Sequence, residues 1–166
     1  MLVSFRETMS RILNTVSVLA LPNNQHPTGI TAVTISSLVS TAVQDGQEEI
    51  LFVLKNGSYA GDMLITGTEF SINVLSESQK NIADNYASKQ AVSEEIIASS
   101  QLIWSDIQTF PKLNETHVYL KCVIKEFYSR ELSTIFFANV LEHEFSAGSK
   151  PLLHFQRGYY VIGSKL

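Results

Sequence analysis

Two runs in the C-terminal third, HVYLKCVIKEFYS (117–129) and STIFFANVLEHEF (133–145), alternate apolar and polar residues and are joined at RELS (130–133). Alternation with a period of two sends successive side chains to opposite faces of a strand. A connection this short allows only antiparallel pairing, because a parallel return needs a crossover of a dozen or more residues. A long antiparallel hairpin is therefore built into the chain, and the rest of the fold has to be arranged around it.

Further strand signals surround it. VSVLAL (16–21) precedes the turn-rich PNNQHPTG, ILFVLK (50–55) is a continuous apolar run of a buried strand, and EFSINVL (69–75) alternates. PLLHF and YYVIG, either side of QRG, are short strand candidates, which brings the expected total to six to eight. Helices are fewer. Phe5, Met9, Ile12 and Leu13 predict a short amphipathic helix over 4–14, and NGSYAGDMLITG (56–67) has room for one or two turns. Ser76 can cap a helix whose Ile82, Ala83 and Tyr86 share a face, and SEEIIASS (93–100) opens like another. These helices are too few and too irregularly placed for alternating βαβ units. The expectation is a mainly β, single domain spanning 1–166: a closed or partly closed antiparallel barrel with peripheral short helices.

Composition narrows the function classes. Of 166 residues, 45% are hydrophobic and only 17% charged, with nine Phe and six Tyr, a globular composition that invites burial against a second subunit. A net charge of −4 without a Lys/Arg cluster argues against nucleic acid. No stretch of about 20 apolar residues is present to span a membrane, and Arg6, Glu7 and Arg11 interrupt the N-terminal run, so a cytoplasmic protein is expected. Cys122, the single cysteine, sits in an alternating run and reads as a buried structural thiol. His26, His117, His143 and His154 show no metal-ligand spacing, and no phosphate-binding glycine loop or nucleophile elbow occurs. No metal is expected.

The stretch TGITAVTISSLVST (28–41) is the unusual one, with seven hydroxyl residues and one glycine in fourteen positions. KNGSY (55–59) likewise follows a strand directly. Serine and threonine hydroxyls with backbone N–H groups can hold phosphate or polyol groups without lysine or arginine. Ordinary turn and capping chemistry accounts for the same residues equally well.

The order of motifs resembles the short-chain flavin reductases, the reductase components of two-component flavin-dependent monooxygenases. FRETMSRILNTVSVLAL (5–21) is similar to the family's opening helix and strand, and GITAVTISSLVS to its G-x-T-A-S-S strand, with Gly29, Thr31 and Ala32 in place. LKNGS (54–58) stands where the family has a strand ending in N-R-S. GTEFSINVLSESQKNIADNYAS keeps Gly67, Phe70, Asn73, Val74, Leu75, Gln79, Ala83, Tyr86 and Ala87 in register, and PLLHFQRGY (151–159) matches the family's end.

The resemblance implies a split β-barrel binding FMN or FAD, usually as a homodimer, and reducing it with NADH or NADPH, with a partner monooxygenase as recipient. Carried over, Thr31, Thr34, Ser36 and Ser37 would line the flavin, with Asn56 and Ser58 near its phosphate. His154, Arg157 and Tyr159 would approach the nicotinamide side. The departures fall on the donor side: Glu131, Leu132 and Ser133 replace a Gly-Asp-His motif at the hairpin turn, and the acidic AVQDGQEE (42–49) replaces Asp-Pro-Pro. Two alternatives follow from them: a flavin-binding protein without reductase activity, and a split-barrel binder of another ligand such as heme.

Overall fold

The computed structural model describes residues 3–41, 48–87 and 103–163. Among these residues twelve strands and three short helices are present. In chain order they are α1 (Phe5–Met9), β1 (Asn14–Thr15), β2 (Ser17–Pro22), β3 (Ile30–Ile35), β4 (Val39–Thr41), β5 (Glu49–Lys55), α2 (Tyr59–Met63) and β6 (Glu69–Val74). There follow α3 (Lys80–Ala87), β7 (Trp104–Ser105), β8 (Lys112–Leu113), β9 (Val118–Ser129), β10 (Ser133–Phe145), β11 (Leu153–Phe155) and β12 (Gly158–Tyr160). The count exceeds the expected six to eight because several strands are only two or three residues long, too short to show a period. The helix expected over 93–100 and most of the acidic stretch 42–49 lie outside the described residues.

The long hairpin forms as the alternation requires: β9 and β10 pair antiparallel over almost their whole length, with register shifts at Phe137/Ala138 and Val140/Glu142. It sits in the middle of a seven-stranded sheet of order β3-β2-β6-β9-β10-β5-β4, antiparallel throughout. Laid flat, a seven-stranded sheet would hold its edges roughly 29 Å apart. Yet the edge strands β3 and β4 are joined by residues 36–38 alone, a tether of at most about 14 Å. The sheet must therefore curl until its edges approach, and a barrel results. Ser37 holds the seam: its Oγ accepts from the Val53 N–H at 2.9 Å and donates to the Val53 carbonyl at 3.2 Å.

Two cores lie on opposite faces of β2 and β3. Leu19, Leu21 and Ile35 face the barrel interior with Phe52, Phe70, Ile72, Ile124 and Phe136. There Phe52 stacks on Phe136 at 5.2 Å and tilts against Phe70 at 5.5 Å. Ala60 and Leu64 of the α2 segment join this cluster. Val18, Ala20 and Ile30 face outward and pack with Leu75, Ala83, Trp104, Leu113 and Leu152. Burial on both faces explains the continuous apolar run of β2. The similar run in β5 has a different outcome. Ile50, Phe52 and Leu54 enter the barrel, whereas Leu51 and Val53 stay half-exposed on its outer face.

The other local expectations are met unevenly. α3 places Ala83 in the outer core with Ile82 and Tyr86 packed beside it. Its N-terminus is closed by the Gln79 side chain, which accepts from the Ser76 N–H at 2.9 Å, while the Ser76 hydroxyl bonds Ser78. The helix over 4–14 stops at Met9, and Phe5, Met9, Ile12 and Leu13 are exposed instead of packed. Ser10 turns its hydroxyl onto the Glu7 carbonyl, and Asn14 is already pairing with His154 in the small sheet β1-β11-β12. Strand pairing at residue 14 ends the helix earlier than the apolar spacing alone would.

Candidate functional site

Strands β5 and β10 pair up to Lys55 and Ser133. At this end of the pair a cleft of about 220 Å³ is formed. Its walls are Leu54 to Gly57 with Gly61 and Asp62 on one side and Ser129, Thr134 and Phe136 on the other. Asn56 crosses between the walls. Its Nδ2 donates to the carbonyls of Arg130 (2.7 Å) and Glu131 (3.1 Å), and its Oδ1 accepts from the Thr134 hydroxyl at 3.0 Å. Its backbone N–H donates to the Leu132 carbonyl at 3.1 Å. The two motifs that the sequence separates by some 75 residues are thus one structural unit.

Ser58 is the N-cap of α2, where its Oγ accepts from the Gly61 N–H at 3.2 Å. A Cβ on Gly61 would stand 2.6 Å from that oxygen, so glycine is required there for the cap to form. Gly57 adopts φ +73°, the left-handed conformation that glycine enters without penalty. The cap uses one lone pair of Ser58, and its proton remains available to a ligand.

β3 carries the other expected contacts. It pairs with β2 only, so its outer backbone edge is unpaired within the sheet. The pleat puts Thr31 on the barrel side and Thr34 on the outer side. Thr31 is buried, and its Oγ1 accepts from Asn23 Nδ2 at 2.9 Å; the same amide reaches the Tyr59 hydroxyl at 3.4 Å. Asn23, which the sequence reading passed over inside a turn, therefore ties β3 to the start of α2. Ser37 is spent on the seam. Thr34 is half-buried and Ser36 exposed, and their hydroxyls are not engaged by the described residues. Of the six expected flavin contacts, the hydroxyls of Thr34 and Ser36 are unengaged, Thr31 and Ser58 each accept one bond and keep a hydroxyl proton, Thr31 in a buried position, and the side-chain polar atoms of Ser37 and Asn56 are used in holding the frame.

The three residues expected on the nicotinamide side share the β11–β12 hairpin. His154 and Tyr159 are cross-strand partners with rings 5.7 Å apart. Tyr159 packs against the outer core alongside Ala32, and the Lys80 ammonium lies 5.5 Å from its ring. Burial, with the nearby Asp84 carboxylate, pushes its phenol up and keeps it protonated. Arg157 and Gln156 form the two-residue turn with φ of 63° and 49°. Arg157 reaches Glu7 at 3.3 Å, and Gln156 N–H donates to the Ser10 carbonyl at 2.7 Å, so the hairpin is fastened to α1. This hairpin lies on the outer-core side, where Thr34 also points, while Thr31, Asn56 and Ser58 belong to the barrel side.

Elsewhere the polar chemistry is structural. Among the described residues no group of three or more His, Cys, Asp or Glu could hold a metal. His143 Nε2 faces Glu48 at 3.4 Å, while Glu142 and Glu144 pair with Lys121 and Lys112. Burial pushes the Cys122 thiol up to about 12, which leaves it protonated and inert.

The profile of the flavin reductase like domain matches residues 9–163. The chain belongs to that family. Among curated proteins it is 22% identical over 161 residues to the FMN reductase (NADH) RutF of Agrobacterium fabrum, covering 96% of this chain and 88% of that one. Among solved structures, the styrene monooxygenase flavin reductase of Pseudomonas putida superposes with a TM-score of 0.82 at 20% identity, over 98% and 99% of the two chains. The NADH:FAD oxidoreductase of Streptomyces globisporus, solved with NAD and FAD fragments, gives 0.79 at 15% identity over 95% and 90%. BorF, the flavin reductase component of a bacterial two-component tryptophan halogenase, gives 0.80 at 18% identity over 96% and 97%.

The motif most alike in sequence to the family's, EFSINVLSESQ, turns out to be architectural. Asn73 is fully buried; its Oδ1 accepts from the Leu113 N–H at 2.8 Å and its Nδ2 faces the carbonyls of Val18 and Pro111. Gln79 donates to the Asn114 carbonyl at 2.7 Å. Both side chains pin the segment around β8 to the sheet. The residues left to meet a flavin are consistent with its polar side chain: free hydroxyls on Thr34, Ser36 and Ser58, an unpaired backbone edge on β3, and the exposed Lys55 at the cleft.

Proposed function

We propose that this chain is an NAD(P)H:flavin oxidoreductase acting on FMN or FAD. The observation that carries the reading is the free edge of β3, with unengaged Thr34 and Ser36 hydroxyls, in a chain that belongs to the flavin reductase like family from residue 9 to 163. The chemistry belongs to the bound nucleotides, hydride passing from nicotinamide C4 to flavin N5. What the protein contributes is binding and orientation. The β3 edge offers backbone donors and acceptors to a flat polar ring, Thr34 and Ser36 offer hydroxyls to its side chain, and Ser58 and Lys55 offer a proton and a positive charge to a phosphate. His154 and Tyr159 form an aromatic wall on the outer side for the nicotinamide. No side chain has to act as acid or base.

Anaerobic stopped-flow mixing of flavin-loaded protein with NADH and with NADPH tests this directly. Rapid bleaching of the flavin absorbance by either donor is expected. Flavin that binds and does not bleach would favour a flavin-binding protein without reductase activity, a reading that the exposed Glu131-Leu132 turn supports. A heme spectrum of the purified protein would reject both.

The reading extends to assembly and recipient. Leu51, Val53, Ile135 and Phe137 are neighbours on the outer face of β5 and β10, half-exposed, with Val39 57% and Tyr128 55% exposed beside them. A homodimer that covers this face is part of the proposal, and light scattering should return twice the 18.5 kDa chain mass. A partner monooxygenase or halogenase would take the reduced flavin, as the names of the related reductase components suggest. The proposed compartment is the cytoplasm, where reduced nicotinamide nucleotides are held. Among the described residues no helix is long and apolar enough to cross a membrane.

A further inference from the structure

The loop 56–58 and the hairpin turn 130–132 adjoin the cleft, which is lined by Asn56 and Gly57 from the first and by Ser129 and Thr134, the residues flanking the turn, from the second; the strand ladder itself ends at Lys55 and Ser133. Asn56, Gly57 and the whole of 130–132 are exposed, Ser58 is half-buried, and Gly57 makes the first segment intrinsically pliable. Asn56 bridges them with four hydrogen bonds, three from its side chain and one from its backbone N–H. Both amide protons of the side chain are committed to carbonyl oxygens and its oxygen already receives the Thr134 hydroxyl. An asparagine amide has two donors and one acceptor oxygen, so no donor is left for a ligand.

We infer that Asn56 is a positioning residue that sets the width of this cleft by clamping the hairpin turn to the Ser58 loop. It rests on the reading of the chain as a flavin reductase only for what enters the cleft, namely the phosphate-bearing end of a nucleotide, whether flavin or nicotinamide. Lys55, which lines the cleft, and the free proton of Ser58, the second residue after Asn56, are the groups suited to meet that phosphate. Asn56 acts on the ligand through them. The Thr134 hydroxyl belongs to the same device: it supplies the third side-chain bond and also reaches the Ser129 hydroxyl at 3.4 Å.

The test separates a clamp from a ligand. Asn56→Ala, Thr134→Val and Thr134→Ser are compared with the parent in amide hydrogen exchange, in affinity for FMN and for riboflavin, and in KM for NADH. In Asn56→Ala, exchange of the amides in 130–133 should accelerate on the order of tenfold as the bridge is lost. Riboflavin, which has no phosphate for Lys55 and Ser58 to meet, should bind within about twofold of the parent. Affinity for whichever nucleotide puts its phosphate in the cleft should weaken by about fivefold, read in FMN affinity if it is the flavin and in KM for NADH if it is the donor, with kcat little changed. Thr134→Val should follow in the same direction with a smaller effect, and Thr134→Ser, which keeps the hydroxyl, should resemble the parent.

Weakened FMN or NADH binding in Asn56→Ala, with turn exchange unaltered and Thr134→Val like the parent, would overturn the inference and make Asn56 a phosphate ligand. Unaltered exchange with unaltered affinities would overturn it as well. Should Asn56→Ala fail to fold, the two Thr134 variants decide by the same readings. Failure of the parent to bind flavin or oxidise NADH would strike the functional reading and leave the clamp to be judged by exchange alone.

Discussion

Asn73 and Asn56 are both engaged through every side-chain atom that can form a hydrogen bond, yet one is fully buried and the other exposed. Asn73 lies between β6 and the segment around β8, where its loss would strand the Leu113 N–H away from water, the Pro111 carbonyl keeping the Ser71 hydroxyl. Asn56 spans two turns that water reaches freely, so its partners can be resolvated when it is removed. Full engagement of an amide therefore has unequal consequences in the two places. The buried asparagine secures the fold, and the exposed one secures the shape of a site.

The widest separation between the two should come from Asn73→Ala. It is expected to lower stability by about 3 kcal/mol in urea melts, since unsatisfied buried groups carry their full desolvation cost. A loss under about 1 kcal/mol would break the comparison. Next comes Ser58→Ala, which removes the proton available to a phosphate and should weaken flavin binding by about 1 kcal/mol, read by fluorescence titration of the folded protein. It also removes the α2 cap, at about 1 kcal/mol of stability, so affinity and stability have to be measured separately.

Cys122 sharpens the buried side of the contrast. With its thiol raised to about 12 by burial, alkylation at pH 8 should be negligible in the native state and complete in urea. Native labelling would show that the barrel interior opens. The smallest effect belongs to the exposed side. Hydrogen bonds from Lys125 at 2.7 Å and Thr41 at 2.8 Å hold the Glu49 carboxyl below its usual range. A group whose pKa is lower in the folded state adds stability above its unfolded value, about 4.3, and that contribution is lost as the pH falls through the folded value. Glu49→Gln should therefore cost a few tenths of a kcal/mol at pH 7, and the difference from the parent should vanish in acid. An equal difference at pH 3 would assign the effect to packing.

Much of this distinction was hidden in the sequence. The alternation of 117–129 and 133–145 sufficed for the central hairpin, whereas the continuous run of 50–55, expected to be buried, leaves Leu51 and Val53 half-exposed. EFSINVLSESQ stood out as a motif, but nothing in it shows that Asn73 and Gln79 serve the segment at 111–114. Those partners are some 35 to 40 residues away, and their carbonyls carry no sequence signature. The hydroxyls of 28–41 looked equivalent in one dimension. The pleat, the seam at Val53 and the Asn23 amide divide them into Thr31 and Ser37, which hold the frame, and Thr34 and Ser36, which remain free. Asn23 itself looked like one more turn residue.

Local pattern thus determined that the chain would be an antiparallel β protein with its longest hairpin at 117–145, because side-chain period and connection length are properties of neighbouring residues. Only the tertiary structure decided which hydroxyls and amides are left for a ligand. That depends on carbonyl and N–H groups brought in from distant strands, and backbone groups are identical in every residue but proline.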